Sequence, residues 1–213
     1  MTTDARISNV SPSRLDGDKL RLPLAEAERI AAEHLALLAP TCERIVIAGS
    51  IRRRKPWCGD VELLAIPKTR PGQVDLFGTP SGEVGELDER VDRLLTDGTL
   101  SLRVNKNGQT ADGAKYKRLW CRGGLFPLDL FVTTANQWGL LLVIRTGSAG
   151  FSHQLVTSRI LGGAMPPGHR VDHGWLWAGA ERLDTPDEQT VFRRLFVPWL
   201  DPAQRTDTVR LRA

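Results

Sequence analysis

IVIAGSIRRRKPWCGDVELLAI, residues Ile45 to Ile66, is two apolar β-type runs joined by a polar segment. The first run, Ile45-Val46-Ile47-Ala48, stops at Gly49-Ser50, and three arginines follow, Arg52, Arg53 and Arg54. Gly59-Asp60-Val61-Glu62 opens the second run, Leu63-Leu64-Ala65-Ile66. Side chains alternate along a strand, so Asp60 and Glu62 share one side and Val61 and Leu63 the other. Adjacent carboxylates repel one another unless a cation lies between them, and hard oxygen ligands suit Mg²⁺. A hydroxyl and arginines just upstream are equipment for gripping phosphates. Metal-binding acids beside a phosphate grip point to nucleotide phosphoryl chemistry.

Outward from this stretch, a helix is predicted upstream. Pro23 is placed to open it, and Ala27, Ile30, Ala31, Leu35 and Leu38 recur at helical spacing as far as Pro40. Residues 1 to about 20 are polar and without sustained period, and read as a mobile arm. Ser50 and the arginines read as a short helix. Downstream, a loop through Pro71, Gly72, Pro80 and Gly82 leads to a second amphipathic helix carrying Val84, Leu87, Val91, Leu94 and Leu95. Strands are expected over 100–104, 114–122 and 125–132. The last of these contains a single acid, Asp129, flanked by Leu128 and Leu130. A carboxylate in so apolar a strand is either an edge-strand acid facing water or a functional group.

Residues 135–213 read as a smaller separate unit. Helices are expected over 137–144 and 151–161 around Thr146-Gly147-Ser148, then a β segment over 170–177 with a partner after Gly179. Thr185-Pro186-Asp187-Glu188 has the form of a helix start, with Thr185 as cap.

At 213 residues the chain can bury a proper core as one domain or two small ones. The formal net charge of +4 is compatible with nucleotides or nucleic acid without demanding them. The three cysteines, Cys42, Cys58 and Cys121, read as reduced thiols rather than a disulfide framework. No apolar run approaches the ~18 residues of a membrane span, and no apolar signal segment opens the chain. A soluble, cytoplasmic protein with no membrane partner is expected. Lys115, Lys117 and Arg118 would track a DNA backbone on a strand, or form a solvated hairpin.

Gly49-Ser50-x-x-Arg53, Gly59-Asp60-x-Glu62 and Asp129 in a later strand together resemble the nucleotidyltransferase superfamily. Within it the chain resembles the family X DNA polymerases. Arg21-Leu22-Pro23 resembles the entry to that family's palm, Thr146-Gly147-Ser148 followed by Phe151 its nucleotide-side turn, and Val191-Phe192 through Pro198-Trp199-Leu200 its closing segment. The resemblance implies an α+β fold with a nucleotidyltransferase palm, a mixed sheet with helices on one face, over residues 21–134. A small α/β nucleotide-side subdomain follows over 135–213. It implies that Asp60, Glu62 and Asp129 hold two Mg²⁺ ions, with Mn²⁺ as a substitute. It places Arg21, Gly49, Ser50, Arg53 and Gly59 at the phosphates of an NTP or dNTP, and Ile144, Arg145, Gly147 and Ser148 at its sugar. The implied reaction is transfer of a nucleoside monophosphate to a nucleic-acid 3′-hydroxyl with release of pyrophosphate, by a monomer engaged in short-gap filling or repair. A template-independent transferase acting on a nucleic-acid end, a small molecule or a protein is the alternative.

The chain departs from the family pattern at several positions. Glu62 replaces the usual Asp, Ile144-Arg145 replaces two aromatics, Ser152 an Asn, Val156 an Arg, and Pro127 a basic residue beside the third acid. Only about 20 residues precede the palm-like stretch, so the family's N-terminal lyase unit and helix-hairpin-helix clamps are not expected there.

Overall fold

In the computed structural model, the described residues are 14–16, 19–72, 83–105, 107–121 and 123–211. Strand β1 (Arg14–Asp16) pairs antiparallel with β2 (Lys19–Pro23), so the stretch expected to be an arm includes a strand. Residues 1–13 of that arm, and Pro80 and Gly82 of the expected loop, lie outside the described residues. Pro23 caps helix α1 (Leu24–Leu38), whose buried stripe is Ala27, Ile30, Ala31, His34 and Leu38. Strand β3 (Cys42–Ile47) follows, then the single-turn helix α2 (Gly49–Arg52), β4 (Trp57–Cys58) and β5 (Val61–Pro67). A small ribbon of β6 (Thr69–Pro71) and β7 (Glu83–Gly85) leads into α3 (Glu86–Thr96). Val84 therefore belongs to the ribbon and not to the helix.

Strands β8 (Ser101–Leu102), β9 (Asp112–Gly113), β10 (Tyr116–Cys121) and β11 (Phe126–Val132) complete the main sheet, ordered β3-β5-β11-β10-β8 with β9 beside β10. The pairing is mixed, since β5 and β11 run parallel and their other neighbours antiparallel. Strand β11 is internal, which removes the edge-strand explanation for Asp129.

Period-2 alternation divides the residues of β5 and β11 between two cores. Val61, Leu63, Ala65, Leu128 and Leu130 pack with α1 and α3 in one buried cluster. Leu64, Ile66 and Phe131 point the other way, onto Trp138 and Leu142 of helix α4 (Trp138–Thr146). Glu62 and Asp129 share this second face. The helices α1 and α3 thus lie on one face as expected, while the opposite face is half covered by α4 and half left to polar groups.

Helix α5 (Ala149–Val156) follows the Thr146-Gly147-Ser148 turn, with Ser148 as its cap. An antiparallel sheet of β12 (His169–Asp172), β13 (Trp175–Ala178) and β14 (Glu181–Leu183) packs with α4, α5 and α6 (Glu188–Arg194) around Leu140, Val143, Phe151, Leu155, Leu176 and Phe192. The α6 cap is Asp187, not Thr185: its side chain accepts a hydrogen bond from the Thr190 N–H at 2.6 Å. Thr185 is instead buried, and its carbonyl accepts from the Gly139 N–H at 2.7 Å. Trp175 and Trp177 lie under Arg182 and Arg170 respectively.

Candidate functional site

Glu62 and Asp129 are direct register partners across the parallel pair β5/β11. Their backbones are therefore about 4.8 Å apart, and Asp60, just before β5, lines the same cavity as Glu62. Burial, then the neighbouring Asp60 and Asp129, push the Glu62 carboxyl up to about 8. Burial and Asp129 push the Asp60 carboxyl up as well. Two carboxyls pushed up by burial and by their acidic neighbours, with Asp129 beside them, are a donor set that fits a hard divalent cation, because a cation between them relieves both penalties. As the side chains stand, no three His, Cys, Asp or Glu side chains among the described residues form a metal-holding group. Glu62 folds over Gly49, where a Cβ would lie 1.9 Å from Glu62 Oε2. Asp129 Oδ1 is drawn to Arg103 Nη2 at 3.3 Å, with Arg118 Nε at 3.9 Å.

The phosphate-type residues converge beside these acids. An open cavity of about 450 Å³ is lined by Arg21, Ser50, Arg53, Gly59, Asp60 and Glu62 on one side and Ile144, Arg145, Gly147, Ser148 and Ser152 on the other. Apart from Gly49, which lies under Glu62, every position expected at a nucleotide is on this wall. Pairing of β2 with β4 carries Arg21 next to Gly59. The Ser50 hydroxyl oxygen is buried without a hydrogen bond. Arg53 donates to the carbonyls of Thr146 at 2.5 Å and Gly147 at 2.9 Å, and burial pulls its pKa down. Gly147 is required by packing, since a Cβ there would lie 2.3 Å from the Phe151 ring. The Arg145 guanidinium lies 3.9 Å over the Phe131 ring, which in turn stacks on Tyr116.

The expected DNA-tracking trio is dispersed. Lys117 is buried and paired with Asp112 at 2.8 Å and Asp88 at 3.0 Å. Arg118 stands on the opposite side of β10, across from Asp129, and Lys115 lines a further cavity with Tyr116 and Arg145. Arg52, one of the three arginines after Gly49-Ser50, is a structural ion pair. Its two terminal nitrogens each reach Glu188 at 2.7 Å, and one also donates to Thr146 Oγ1. Arg205, fully buried, donates to the same Glu188 carboxylate at 2.5 Å. Arg52 and Arg53 together fasten α2 to α4 and α6 across the cavity.

Arg103 was not among the residues expected at the site. Its only local signal is its position at the end of an apolar run, Leu100-Ser101-Leu102. Its pairing with Asp129 depends on the β8-β10-β11 order, which no local pattern encodes.

This arrangement, a mixed sheet presenting acids beside a basic cavity, is compatible with a nucleotidyltransferase-like palm. The chain is similar to DNA polymerase lambda of Rattus norvegicus, at 30% identity over 168 residues, which is 75% of this chain and 28% of that protein. The similarity points to a distant relationship with the family X polymerases. The chain spans under a third of the length of this curated relative. No protein-family model matches it. Among the described residues no helix is long and apolar enough to cross a membrane.

Proposed function

We propose that this chain is a nucleotidyltransferase of the family X polymerase type. It transfers a nucleoside monophosphate from an NTP or dNTP to a nucleic-acid 3′-hydroxyl, releasing pyrophosphate, in short-gap filling or repair. The observation that carries this reading is the single cavity in which Arg21, Ser50 and Arg53 meet Asp60 and Glu62, with Asp129 in register beside them. Residues 21–134 form the catalytic palm and 135–213 the nucleotide-side subdomain.

Asp60, Glu62 and Asp129 would hold divalent cations, Mg²⁺ by the chemistry of three carboxylates. The chemistry supplied there would be a lowered pKa for the attacking hydroxyl and charge neutralisation of the leaving pyrophosphate. The chain's own residues do the rest. Ser50 offers its hydroxyl to a phosphate oxygen, and Arg21 and Arg53 supply guanidinium charge. Gly147, with no side chain, lets the sugar approach the backbone, and Ile144 forms the apolar wall behind it. Substrate-positioning groups of this kind contribute by orientation as much as by charge.

The test is extension of a labelled primer–template, and separately of a lone single strand, with deoxy- and ribonucleotides and Mg²⁺. Extension of the primer–template by the base its template specifies is expected. Extension of the single strand alone would favour the template-independent alternative, and no extension of either would contradict the proposal.

A further inference from the structure

Phe196 is strained and exposed at once. It follows helix α6 with φ of +52°, the left-handed backbone that an L side chain disfavours, and it is 66% exposed. The turn is a Schellman motif: the Phe196 N–H donates to the Arg193 carbonyl at 3.0 Å and the Val197 N–H to the Phe192 carbonyl at 3.1 Å. Glycine meets this backbone without penalty. A large apolar side chain held there against strain, and left in solvent, points to a use outside the chain's own packing. Phe196 lies at a cavity of about 460 Å³ where the end of α6 meets strands β12 to β14. The charged groups lining it are Arg193, Arg194 and one carboxylate, Glu181, with His169 beside them. Arg193 donates to Thr190 Oγ1 at 2.8 Å, and its charge also serves Asp187, whose carboxyl the Thr190 N–H chiefly holds down. The Arg194 guanidinium has no hydrogen bond or ion pair among the described residues. Arg194 is therefore the cation left for a ligand, with Arg193 its neighbour.

We propose that this cavity is a separate binding site for single-stranded nucleic acid. One unpaired base stacks on Phe196, and the phosphates beside it lie on Arg194 and Arg193. Adjacent residues on a helix diverge by about 100°, so the two guanidiniums suit successive phosphates of one strand better than a single phosphate. Stacking on a lone ring tolerates any base, so the site reads no sequence. It shares no lining residue with the nucleotide cavity. Helix α6, seven residues and about 10 Å long, lies between them, with Glu188 at its far end bonded to Arg52. The inference goes beyond the nucleotidyltransferase reading and does not depend on it.

The experiment is fluorescence anisotropy of a labelled oligothymidine with the full chain in EDTA, beside a thermal melt of each protein. None of these readouts requires nucleotidyl transfer. Phe196→Gly should lose about tenfold in affinity, within the range of one lost base stack. It should melt no lower than wild type, because glycine adopts this backbone freely. Phe196→Trp should keep the affinity. Arg194→Gln should reduce the slope of log affinity against log salt by about 0.7, the share of one phosphate contact on a single strand. Glu181→Gln, which removes a charge of the strand's own sign, should tighten binding. The loss caused by Phe196→Gly should persist in an Arg53→Ala background, and its disappearance there would place the strand in the nucleotide cavity and overturn the separate site. Unchanged affinity in Phe196→Gly would overturn the stacking assignment, and a melt well below wild type would make Phe196 a packing residue and overturn it equally. Competition by dTMP as strong as by unlabelled oligothymidine would overturn the strand in favour of a free nucleotide. Equal competition by polyglutamate would overturn it in favour of an acidic protein partner.

Discussion

Gly49 and Glu62 are in direct contact: a methyl group on Gly49 would lie 1.9 Å from Glu62 Oε2. Gly49 also has φ of +64°, a conformation that costs an L side chain about 1–2 kcal/mol. Gly49→Ala should therefore lower stability by roughly that amount and push the Glu62 carboxylate out of place. Displacing a group at the reacting centre by about 1 Å can cost about 100-fold in rate, so nucleotidyl transfer by the folded variant should fall on that scale. Steady-state turnover beside a thermal melt tests this, and wild-type turnover would show that Glu62 does not depend on Gly49.

Glu188 sits between Arg52 and Arg205, and removing it should unfasten the two halves of the cavity. Glu188→Gln leaves the buried Arg205 charge without its partner, a change that typically costs about 3–5 kcal/mol. Burial pushes the Glu188 carboxyl up, but the hydrogen bonds from Arg52 and Arg205 outweigh it and hold the group below its ordinary 4.5. A depressed folded-state value stabilises the native state above pH 4.5 and loses that contribution as pH falls through the folded value. Urea unfolding should show wild type and Glu188→Gln converging as pH drops below 4.5. A gap that stays constant through that range would contradict the assignment.

Arg53 lines the nucleotide cavity and pins the Thr146-Gly147 carbonyls. Arg53→Ala should weaken nucleotide binding far more than DNA binding. Loss of one hydrogen bond to a charged group costs about 1.5–3 kcal/mol, which is roughly a tenfold to hundredfold change in affinity. Titrations with a non-reacting nucleotide and with duplex separate the two. A fall in DNA affinity alone would assign this arginine to a DNA patch.

Sugar discrimination should be weak. Ile144 presents an aliphatic rather than a flat aromatic wall, and Arg145 is held over Phe131. A small difference of fit against an apolar wall is worth about 1–3 kcal/mol. Ribonucleotides should therefore be inserted at an appreciable rate, and Ile144→Tyr should reduce their use. Single-nucleotide insertion with matched deoxy- and ribonucleotides measures this. A wild-type preference of many thousandfold for deoxynucleotides would place the gate elsewhere.

The site was legible in sequence where its logic is local. Asp60 and Glu62 share a face because strands have period 2, and Gly49-Ser50 marks the strand end beside them. Asp129 is marked by its apolar neighbours, but only the parallel pairing of β5 with β11 sets it opposite Glu62. Arg103–Asp129 and Arg52–Glu188 span 26 and 136 positions, so each depends on topology and leaves no local trace. Lys117 looks solvated in sequence because Asp88 and Asp112, which neutralise it, come from another helix and strand. Thr185 and Asp187 are both acceptable caps, and what separates them is the burial of Thr185 against Asn136 and Gly139, a tertiary fact.

The most direct test of the central claim compares wild type with Asp129→Ala in single-turnover extension of a labelled primer–template with Mg²⁺, each protein first shown to be folded by circular dichroism. Wild type should extend the primer. Asp129→Ala should lose at least about 100-fold, the scale of loss seen when even the outer partners of metal ligands are removed. Near-normal extension by a well-folded Asp129→Ala protein would contradict the assignment of Asp60, Glu62 and Asp129 as the centre of the chemistry.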